Sequence, residues 1–359
     1  MTESSEKNPT LSGTIAAALY EAAIIHGKER DSHECPSKEE IFFNALPRDP
    51  GDCPWGTGEC FHFMRIRVPA STSNLGPAFD AVGLALQLYL SVDVQPLDKG
   101  PSRMQVSGED ARLIPADSAN LIWRTMKELA EEAGSPLPFF ALKVENRIPV
   151  SKGLGGSAAA LLAAAAATSF LCGFDWGVEK LLEIAARREG HPDNAAPSLW
   201  GGLVASILGE EIFCSKLRFP PEWTVVAVTP DLEVPTKIAR SVLPDRIPRQ
   251  DAIHNIQRTA FLIAQLIHGR GEGLREAMSD LLHQPYRCKL VPGLEEILSM
   301  ENRQGLLGVA LSGAGPTIIA FADSHEAEIG AAISDIFKTH GLSAQIRLLK
   351  ADNTGLVIE

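Results

Sequence analysis

The sequence predicts an α+β protein of about two domains that follow an N-terminal extension. The chain has 359 residues, and a domain averages roughly 150 residues. From Phe63 onward, short stretches that fit β-strands are mixed with longer stretches that have helical periodicity. An apolar run that begins at Thr224 opens the second part of this pattern. We therefore expect one domain over residues 63–215 and another over residues 216–359.

The predicted elements follow one another in a consistent order. In the first domain we expect strands at 64–69, 81–94, 140–146 and 202–208, helices at 119–133, 157–171 and 177–188, and a polar loop at 70–80. In the second we expect strands at 224–228, 307–311, 317–322 and 344–349, and helices at 251–268, 271–282, 294–301 and 327–340. A turn at residues 312–316 joins two of these strands like a hairpin.

Residues 1–62 differ from the rest and are interpreted as an N-terminal extension. One helix fits residues 13–27, but the run from 47 to 58 is rich in Pro and Gly, which disfavour both helices and strands. The segment is either a flexible, disordered extension or sequence that precedes a true start at Met64. A zinc site from Cys35, Cys53, Cys60, His33 and His62 is a weaker alternative, because no Cys-x-x-Cys pair is present.

Composition excludes several classes of partner. The formal charge of -12 arises from 33 Lys and Arg against 45 Asp and Glu, which disfavours nucleic acid because its binding requires clustered positive charge. The longest apolar run, residues 158–171, is shorter than the roughly 20 residues of a membrane-spanning helix. No signal or transit peptide is recognisable at the N-terminus. We expect a cytoplasmic protein without nucleic-acid or membrane partners, and the six scattered cysteines are expected to be free thiols.

A glycine-rich turn between a predicted strand and a predicted helix is the strongest candidate for a ligand site. Its sequence is PVSKGLGGSAA, residues 149–159. Glycines before a helix let backbone N–H groups approach an anion, and the positive end of the helix dipole favours phosphate. A turn capped by Ser157 would explain the same residues without a ligand. Lys152 precedes the glycines, so the spacing is not that of a P-loop NTPase.

Four segments together resemble the GHMP kinases and, within that superfamily, the homoserine kinases. The turn is similar to the family's second motif, Pro-x-x-x-Gly-Leu-Gly-Ser-Ser-Ala, with Gly156 in place of the first serine. Residues 67–86, RVPASTSNLGPAFDAVGLAL, resemble the first motif, and residues 311–317, LSGAGPT, the third. Residues 189–202, EGHPDNAAPSLWGG, lie between the second and third motifs and also resemble homoserine kinases. The resemblance covers about residues 64–349.

This resemblance implies a fold and an activity. The fold is the two-domain GHMP kinase architecture, with an ATP-binding domain like the second domain of ribosomal protein S5 and a ferredoxin-like C-terminal domain. The activity is ATP-dependent phosphorylation of L-homoserine to O-phospho-L-homoserine in threonine biosynthesis, with Mg²⁺ as a further cofactor. There are two alternatives: a GHMP kinase that acts on another small alcohol, and a GHMP-derived binding protein that has lost catalysis. The departure from the motif at Gly156 is the reason to consider the second. Any self-assembly is expected to be a homodimer.

The resemblance also assigns residues to the nucleotide and the metal. The ATP phosphates are expected at Pro149, Val150, Ser151, Lys152, Gly153, Leu154, Gly155, Gly156, Ser157, Ala158 and Ala159. Ser157 and Glu183 are expected to hold Mg²⁺, although Glu183 by itself fits an i,i+4 surface pair with Arg187. Asn120 is placed near adenine, while a helix cap from Ser118 explains its segment equally well.

The substrate and the chemistry are assigned in the same way. The expected substrate-binding residues are Asn74, Asp80, His191, Asn194, Arg240, Arg287, Gly313 and Gly315. An amino-acid zwitterion suits this set, since a carboxylate such as Asp80 binds ammonium and arginines bind carboxylate. Asn194, Lys152 and Ser157 are expected to be catalytic by positioning and charge neutralisation. The alternative is that Asp193 acts as a general base.

Overall fold

The first of two β-sheets carries the glycine turn and contains both ends of the described chain. The computed structural model describes residues 63–300 and 303–359. The strands of this seven-stranded sheet are β1 (Met64–Ser73), β2 (Val82–Pro96), β3 (Arg103–Gly108), β4 (Phe140–Asn146), β5 (Leu203–Leu208), β6 (Ile212–Leu217) and β11 (Val357–Ile358). The order is β11-β1-β2-β4-β3, and β5 joins β2 to β6. Only β3 and β4 pair in parallel among these described strands.

Four α-helices belong to this part of the chain. They are α1 (Leu121–Glu132), α2 (Gly156–Cys172), α3 (Val178–Glu189) and α4 (Ala195–Trp200), and a short 3₁₀ turn spans Ala111–Leu113. Helix α2 packs between α1, α3 and strand β1. It is apolar on nearly all sides, and its many alanines allow its neighbours to approach closely. This packing fixes the N-terminus of α2 against β1.

The second sheet has four antiparallel strands. They are β7 (Thr224–Pro230), β8 (Leu306–Leu311), β9 (Ile318–Ala322) and β10 (Ala344–Leu349), in the order β10-β7-β9-β8. Helices α5 (Thr236–Ser241), α6 (Arg249–His268), α7 (Leu274–Ala277), α8 (Gln284–Arg287) and α9 (Leu294–Ser299) lie between β7 and β8 in sequence, and α10 (Glu326–Thr339) lies between β9 and β10. This β-α-β-β-α-β order is ferredoxin-like, as predicted.

Most predicted elements are confirmed, and the exceptions have identifiable causes. Strands β4 and β10 have the predicted bounds, whereas β3 and β6 were not predicted. The helix predicted at 271–282 is wrong, because only Leu274–Ala277 is helical. The Asp280 carboxylate accepts hydrogen bonds from the backbone N–H groups of Leu282, His283 and Gln284. This side chain therefore supports a turn where the helix would have continued.

The predicted loop at 70–80 begins later than expected, since β1 continues through Ser73. The polar residues at the end of this strand are buried, and their hydroxyls have partners in other motifs. The Ser71 hydroxyl donates to Asn194 Oδ1 over 3.1 Å, and that of Ser312 donates to Thr72 Oγ1 over 2.8 Å. A buried polar strand end is stable because these hydrogen bonds replace water.

The domain boundaries stay predictions. Strand β6 belongs to the first sheet and runs to Leu217, across the predicted boundary at 215, while Val357–Ile358 returns to pair with β1. The extension at 1–62, its helix at 13–27 and the Cys and His cluster lie outside the described residues. Cys172, Cys214 and Cys288 are free, as predicted. Among the described residues, no helix has the length and hydropathy needed to cross a membrane.

Candidate active site

One cavity of about 520 Å³ collects most of the predicted site residues. Its wall combines the glycine turn before α2, the loop after β1, the segment that leads into α4, and the turn between β8 and β9. Arg240 from α5 and Arg287 from α8 complete one end. The cavity therefore joins residues that are far apart in sequence, with the glycine turn on one side and the two arginines on another.

The glycine turn has a backbone that requires glycine at two positions. Gly153 and Gly155 have φ angles of 79° and 69°, where residues with a side chain are strained. A Cβ atom on Gly153 would lie 2.3 Å from the Ser312 carbonyl oxygen, and one on Gly155 would lie 2.1 Å from Ser71 Oγ. Close packing against two other motifs thus explains both glycines. It also holds the N-terminus of α2 at the cavity.

The start of α2 decides between the two interpretations of Ser157. Gly155 is the N-cap residue and no side chain caps the helix, so the interpretation of Ser157 as an N-cap is wrong. The unpaired N–H groups of this first turn are available to an anion in the cavity. Ala158 and Ala159 are fully buried in the core, and the Ala159 N–H donates to Gly155 O. Their side chains do not line the cavity, so their assignment to the phosphates stays a prediction that would have to rest on the backbone.

Gly156 is not held to glycine by its surroundings. A Cβ atom there would meet only Ile148 Cγ2, at 3.5 Å, an ordinary contact distance. Its φ angle is also not positive. The serine usual in the family would fit at this position, so the departure at Gly156 leaves the shape of the turn intact.

The carboxylate beside Ser157 belongs to Glu189. The Ser157 hydroxyl donates a hydrogen bond to Glu189, and burial raises the pKa of this carboxyl, an effect that the hydrogen bond and the His191 charge partly offset. Glu189 ends α3 directly before the Gly-His-Pro-Asp-Asn segment. Its position directly before this motif was the sequence feature that could have identified Glu189 as a site residue.

The assignment of Glu183 to the metal is corrected by the same geometry. Its carboxylate pairs with Lys180 and Arg187 over 3.0 Å each. These two hydrogen bonds lower the pKa of Glu183, and the residue does not line the cavity. Glu183 lies about 1.7 turns before Glu189 on α3, so its side chain points to another side of the helix. The surface-pair interpretation is the one that the structure supports.

Lys152 also differs from its expected role. Its ammonium group donates to the carbonyl oxygens of Leu232 and Pro230, over 2.8 and 3.4 Å. Two of its three N–H donors are therefore occupied by backbone at the end of β7. Although Lys152 lines the cavity, these contacts make it a link between the glycine turn and the second sheet.

Asp80 and Arg240 form a bidentate ion pair at the end of the cavity that contains the two arginines, which we call the substrate end. Arg240 donates to both carboxylate oxygens of Asp80, over 3.0 and 2.7 Å. Asp80 has a positive φ of 57°, and its N–H donates to Asn74 Oδ1 over 3.0 Å. The Asn74 amide in turn donates to the Gly313 carbonyl over 3.1 Å. The loop is thus held in the conformation that presents Asp80 to Arg240.

Arg287 is the second cation at this end and is only 2% exposed. Its guanidinium donates to the carbonyls of Ala239 and Gly313, over 3.2 and 2.8 Å. Burial, together with the charge of Arg240, lowers its pKa to about 10. His283 supports it, since His283 Nδ1 lies 3.1 Å from Arg287 Nη1 while Nε2 lies 2.7 Å from the Gly76 carbonyl. The imidazole must therefore donate from Nε2 and accept at Nδ1.

The ring of Phe79 was not predicted to belong to the site. The Arg240 and Arg287 guanidinium carbons lie 5.4 and 5.5 Å from its centre, and His283 stacks on it at 5.2 Å. A cation near an aromatic face is attracted to the ring. Phe79 keeps two like-charged side chains side by side, and its place beside Asp80 in the first motif was the only signal for it in the sequence.

His191, Asp193 and Asn194 form a buried hydrogen-bonded group. His191 Nδ1 lies 2.5 Å from Asp193 Oδ1. Burial alone would lower the pKa of His191, but the hydrogen bond to Asp193 and the charges of Asp193, Glu189 and Asp80 raise it overall. Asn194 accepts from Ser71 and donates to the Ser73 hydroxyl over 3.0 Å. Its amide is therefore committed to β1.

Asn120, Gly313 and Gly315 have different relations to the cavity. Asn120 lines it, but its side chain caps α1 at the Ile122 N–H over 2.8 Å and donates to the Pro115 carbonyl over 2.7 Å. The cap of this helix is thus Asn120 and not Ser118. Gly313 lines the cavity, whereas Gly315 does not. A role for Gly315 in substrate binding is corrected to one in the β8–β9 turn.

Family models define the class of protein. The model described as the GHMP kinases N terminal domain matches residues 120–202. The model described as the GHMP kinases C terminal matches residues 262–339. The crystal structure of homoserine kinase from Cytophaga hutchinsonii superimposes with a TM-score of 0.73 at 26% identity, over 83% of this chain and 97% of that one. At 17% identity, Leishmania major mevalonate kinase shows the shared fold alone, with a TM-score of 0.60 over 80% of this chain and 96% of its own. The architecture is that of a GHMP kinase.

Closer relatives narrow the class. The homoserine kinase of Desulfitobacterium hafniense is 40% identical over 82% of this chain and 99% of its own length. That of Solibacter usitatus is 41% identical over 79% of this chain and 93% of its own length. The chain belongs to the homoserine kinase family, which confirms the resemblance found in the sequence.

Gly155 and Gly156 of the turn are predicted to differ sharply in how much a substitution by alanine destabilises the fold. Gly155→Ala is expected to lower the free energy of unfolding by about 2 kcal/mol or more, because of the positive φ and the clash with Ser71. Gly156→Ala, the matched control, is expected to leave it unchanged or to raise it slightly. Urea denaturation of both variants measures the difference. Equal stability of the two would contradict the packing described for Gly155.

The pKa of His191 is predicted to depend on Asp193. In the wild type, NMR titration should place the pKa of His191 above the ordinary value. The proton that His191 binds then stabilises the folded state. This contribution is fully present below the unfolded-state pKa and is lost as pH rises through the folded-state pKa. Asp193→Asn removes the charge but keeps the burial, so the pKa should fall. His191→Gln identifies the resonance. An unchanged pKa in Asp193→Asn would rule out Asp193 as the main cause of the increase.

Proposed function

We propose that the protein is a kinase that transfers the γ-phosphoryl group of ATP to the hydroxyl of L-homoserine. The products are O-phospho-L-homoserine and ADP, and the reaction belongs to threonine biosynthesis in the cytoplasm. The observation that carries the proposal is one cavity with a glycine turn for phosphate and an Asp80–Arg240 pair beside Arg287. The membership in the homoserine kinase family supports the same activity.

The glycine turn and the first turn of α2 are proposed to bind the ATP phosphates. Gly153 and Gly155 keep side chains out of the turn, and the helix dipole and free N–H groups stabilise negative charge. The residues from Pro149 to Ser157 all line the cavity. Beyond them, the wall is apolar, with Ile114, Leu121 and Val144 among its members. An apolar wall next to a phosphate site suits the flat adenine ring.

Ser157 and Glu189 are the residues we propose to hold Mg²⁺. Hydroxyl and carboxylate oxygens are the hard ligands that this ion prefers, and both groups line the cavity, where the Ser157 hydroxyl acts on the pKa of Glu189. Bound Mg²⁺ would neutralise charge on the β- and γ-phosphates during transfer. The acidic and imidazole groups of Asp80, His191 and Asp193 also lie close together. However, Asp80 already binds Arg240, and His191 binds Asp193. We therefore propose Ser157 and Glu189, and not these three residues, as the metal ligands.

The substrate end matches the charges of an α-amino acid. Asp80 and Arg240 lie side by side, so an incoming zwitterion can place its ammonium on Asp80 and its carboxylate on Arg240. Arg287 adds a second cation whose position is fixed by three neighbouring groups. Mevalonate and shikimate carry one charge and galactose carries none, so each would leave at least one member of this set unmatched, which disfavours all three.

Phosphoryl transfer at this site is proposed to depend on positioning and charge. A loose transition state needs little proton removal from the attacking hydroxyl, so holding the hydroxyl in line with the γ-phosphate supplies much of the rate. Ser157 and Asn194 line the cavity and remain the candidates for this role, Asn194 by fixing the Ser73 hydroxyl that also lines the cavity. The neighbouring carboxylates that raise the pKa of His191 favour its protonated form, which supplies positive charge to the cavity.

The preference for homoserine is predicted to be strong. ADP release with homoserine should exceed that with mevalonate, shikimate or galactose by at least about a hundredfold, since the other substrates lack the ammonium and carboxylate that bind Asp80 and Arg240. Asp80→Asn should raise KM for homoserine and leave KM for ATP nearly unchanged. Arg187→Ala, which removes a surface arginine, is the matched control. Turnover with homoserine no greater than background would refute the proposed reaction.

Substitutions of Glu183 and Glu189, both on α3, are predicted to affect turnover very differently in the same assay. Glu189→Gln should lower kcat by on the order of a hundredfold, because it removes the charge next to Ser157 that would bind the metal. Glu183→Gln weakens only two exposed ion pairs, with Lys180 and Arg187, and should keep nearly full activity. A Mg²⁺ titration of each variant should show a raised requirement only in Glu189→Gln. The reverse ranking would restore Glu183 as the ligand.

A further inference from the structure

Ser73, the last residue of β1, has a hydroxyl proton that the protein itself does not use. The residue lines the cavity and is 1% exposed. Ser73 Oγ accepts a hydrogen bond from the Asn194 amide over 3.0 Å, and among the described residues its own proton has no acceptor. A hydroxyl has one donor proton and two acceptor lone pairs. Because a buried donor without an acceptor is unfavourable, this proton calls for an acceptor in the cavity.

The direction of the hydrogen bond between Asn194 and Ser73 follows from the other neighbours of Asn194. Asn194 Nδ2 also lies 3.4 Å from Asp193 Oδ1, and an ionised carboxylate oxygen only accepts hydrogen bonds. On its other side, Asn194 Oδ1 accepts from the Ser71 hydroxyl over 3.1 Å. The Asn194 nitrogen is therefore the donor toward Ser73. Both of its N–H groups are directed at protein atoms, which leaves neither of them for a substrate.

Three hydroxyls and this amide form a buried chain that runs from α4 to the cavity. The proton of Ser71 goes to Asn194, so the Ser198 hydroxyl must donate to Ser71 Oγ, which lies 3.2 Å away. Ser71 and Ser198 are fully buried. Each donor in the chain points toward Ser73, and hydrogen bonds in such a series strengthen one another. The chain thus fixes Ser73 Oγ and leaves its proton for a ligand.

The Ser73 hydroxyl lies where the two ends of the cavity meet. The Gly313 N–H donates to the Ser73 carbonyl over 3.2 Å, and the Gly313 carbonyl accepts from Asn74 and Arg287 of the substrate end. A Cβ atom on Gly313 would lie 3.3 Å from Ser73 Oγ and 3.4 Å from the carbonyl oxygen of Gly153 in the glycine turn. Ser73 is therefore close to both the substrate residues and the phosphate loop, where the attacking hydroxyl has to lie.

We propose that Ser73 donates a hydrogen bond to the hydroxyl oxygen of homoserine. This inference rests on the proposed function and names the residue that contacts the attacking group. The hydroxyl oxygen has two lone pairs, so one can accept from Ser73 while the other faces the γ-phosphate. Ser73 keeps its own proton throughout, and the contact acts by orienting the hydroxyl for transfer. Asn194, Ser71 and Ser198 are positioning residues that act through Ser73.

A comparison of two ligands, with and without the substrate hydroxyl, tests this contact. L-2-Aminobutyrate is homoserine without the hydroxyl and keeps both charges for Asp80 and Arg240. In calorimetric titrations of the full chain with Mg²⁺ and a non-hydrolysable ATP analogue, Ser73→Ala is expected to raise the Kd for homoserine by about five- to tenfold, as for one lost hydrogen bond. The Kd for L-2-aminobutyrate should stay unchanged. In turnover assays, kcat should fall by on the order of a hundredfold, with KM for ATP unchanged.

Two further variants separate the contact from a general effect on structure. Ser206→Ala is the matched control, because Ser206 is a buried serine on β5 of the same sheet and lies outside the cavity. It should leave both Kd values and kcat unchanged. Ser73→Cys keeps a side chain at this position but donates only weakly, so it should show the same selective loss of homoserine binding as Ser73→Ala.

The outcomes distinguish this inference from the proposed reaction. If the wild type phosphorylates homoserine but the Ser73 variants bind it as tightly as the wild type does, the contact is refuted and the reaction stands. Equal weakening of homoserine and L-2-aminobutyrate in both Ser73 variants also refutes the contact, because the hydroxyl would then not be what Ser73 recognises. A wild type that does not phosphorylate homoserine refutes the reaction and the contact together.

Discussion

The turn between β8 and β9 is the contact on which the rest of the site depends. Ser312 Oγ lies 2.6 Å from the Gly153 carbonyl oxygen and 2.8 Å from Thr72 Oγ1, within hydrogen-bond distance of both. One residue later, the Gly313 N–H donates to the Ser73 carbonyl, and the Gly313 carbonyl accepts from Asn74 and Arg287. A single turn thus touches the phosphate loop, the end of β1 and the substrate-binding residues. Displacing it would separate the two ends of the cavity.

Because these contacts are buried, they also set the electrostatics of the cavity. Arg287 is held by backbone carbonyls and a neutral histidine, and its lowered pKa of about 10 reflects burial beside Arg240. Two arginines and Asp80 therefore face the cavity in a fixed arrangement before any substrate enters. Side chains that are already in place lose little conformational entropy on binding. Preorganisation of this kind favours both affinity and correct alignment of the hydroxyl.

Local sequence patterns predicted much of the fold and part of the site. The alternation at 140–146 and at 344–349 gave strands with the observed bounds, because strand periodicity is a local property. Strands β3 and β6 lie at edges of the first sheet and carry few buried residues, so they lack that pattern. The helix predicted after Gly271 failed since a side-chain cap from Asp280 competes with helix periodicity.

The sequence by itself determined which residue types meet at the site, through four ordered motifs whose glycines and polar side chains have local causes. It could not decide between Glu183 and Glu189, because both lie on α3 and only the packing of that helix against α2 selects the side chain that reaches Ser157. It likewise could not place the Lys152 ammonium on the carbonyls after β7. Helical periodicity fixes neighbours one turn apart, whereas contacts between distant segments exist only once the chain has folded. The tertiary structure alone therefore decided which carboxylate and which cation face the cavity.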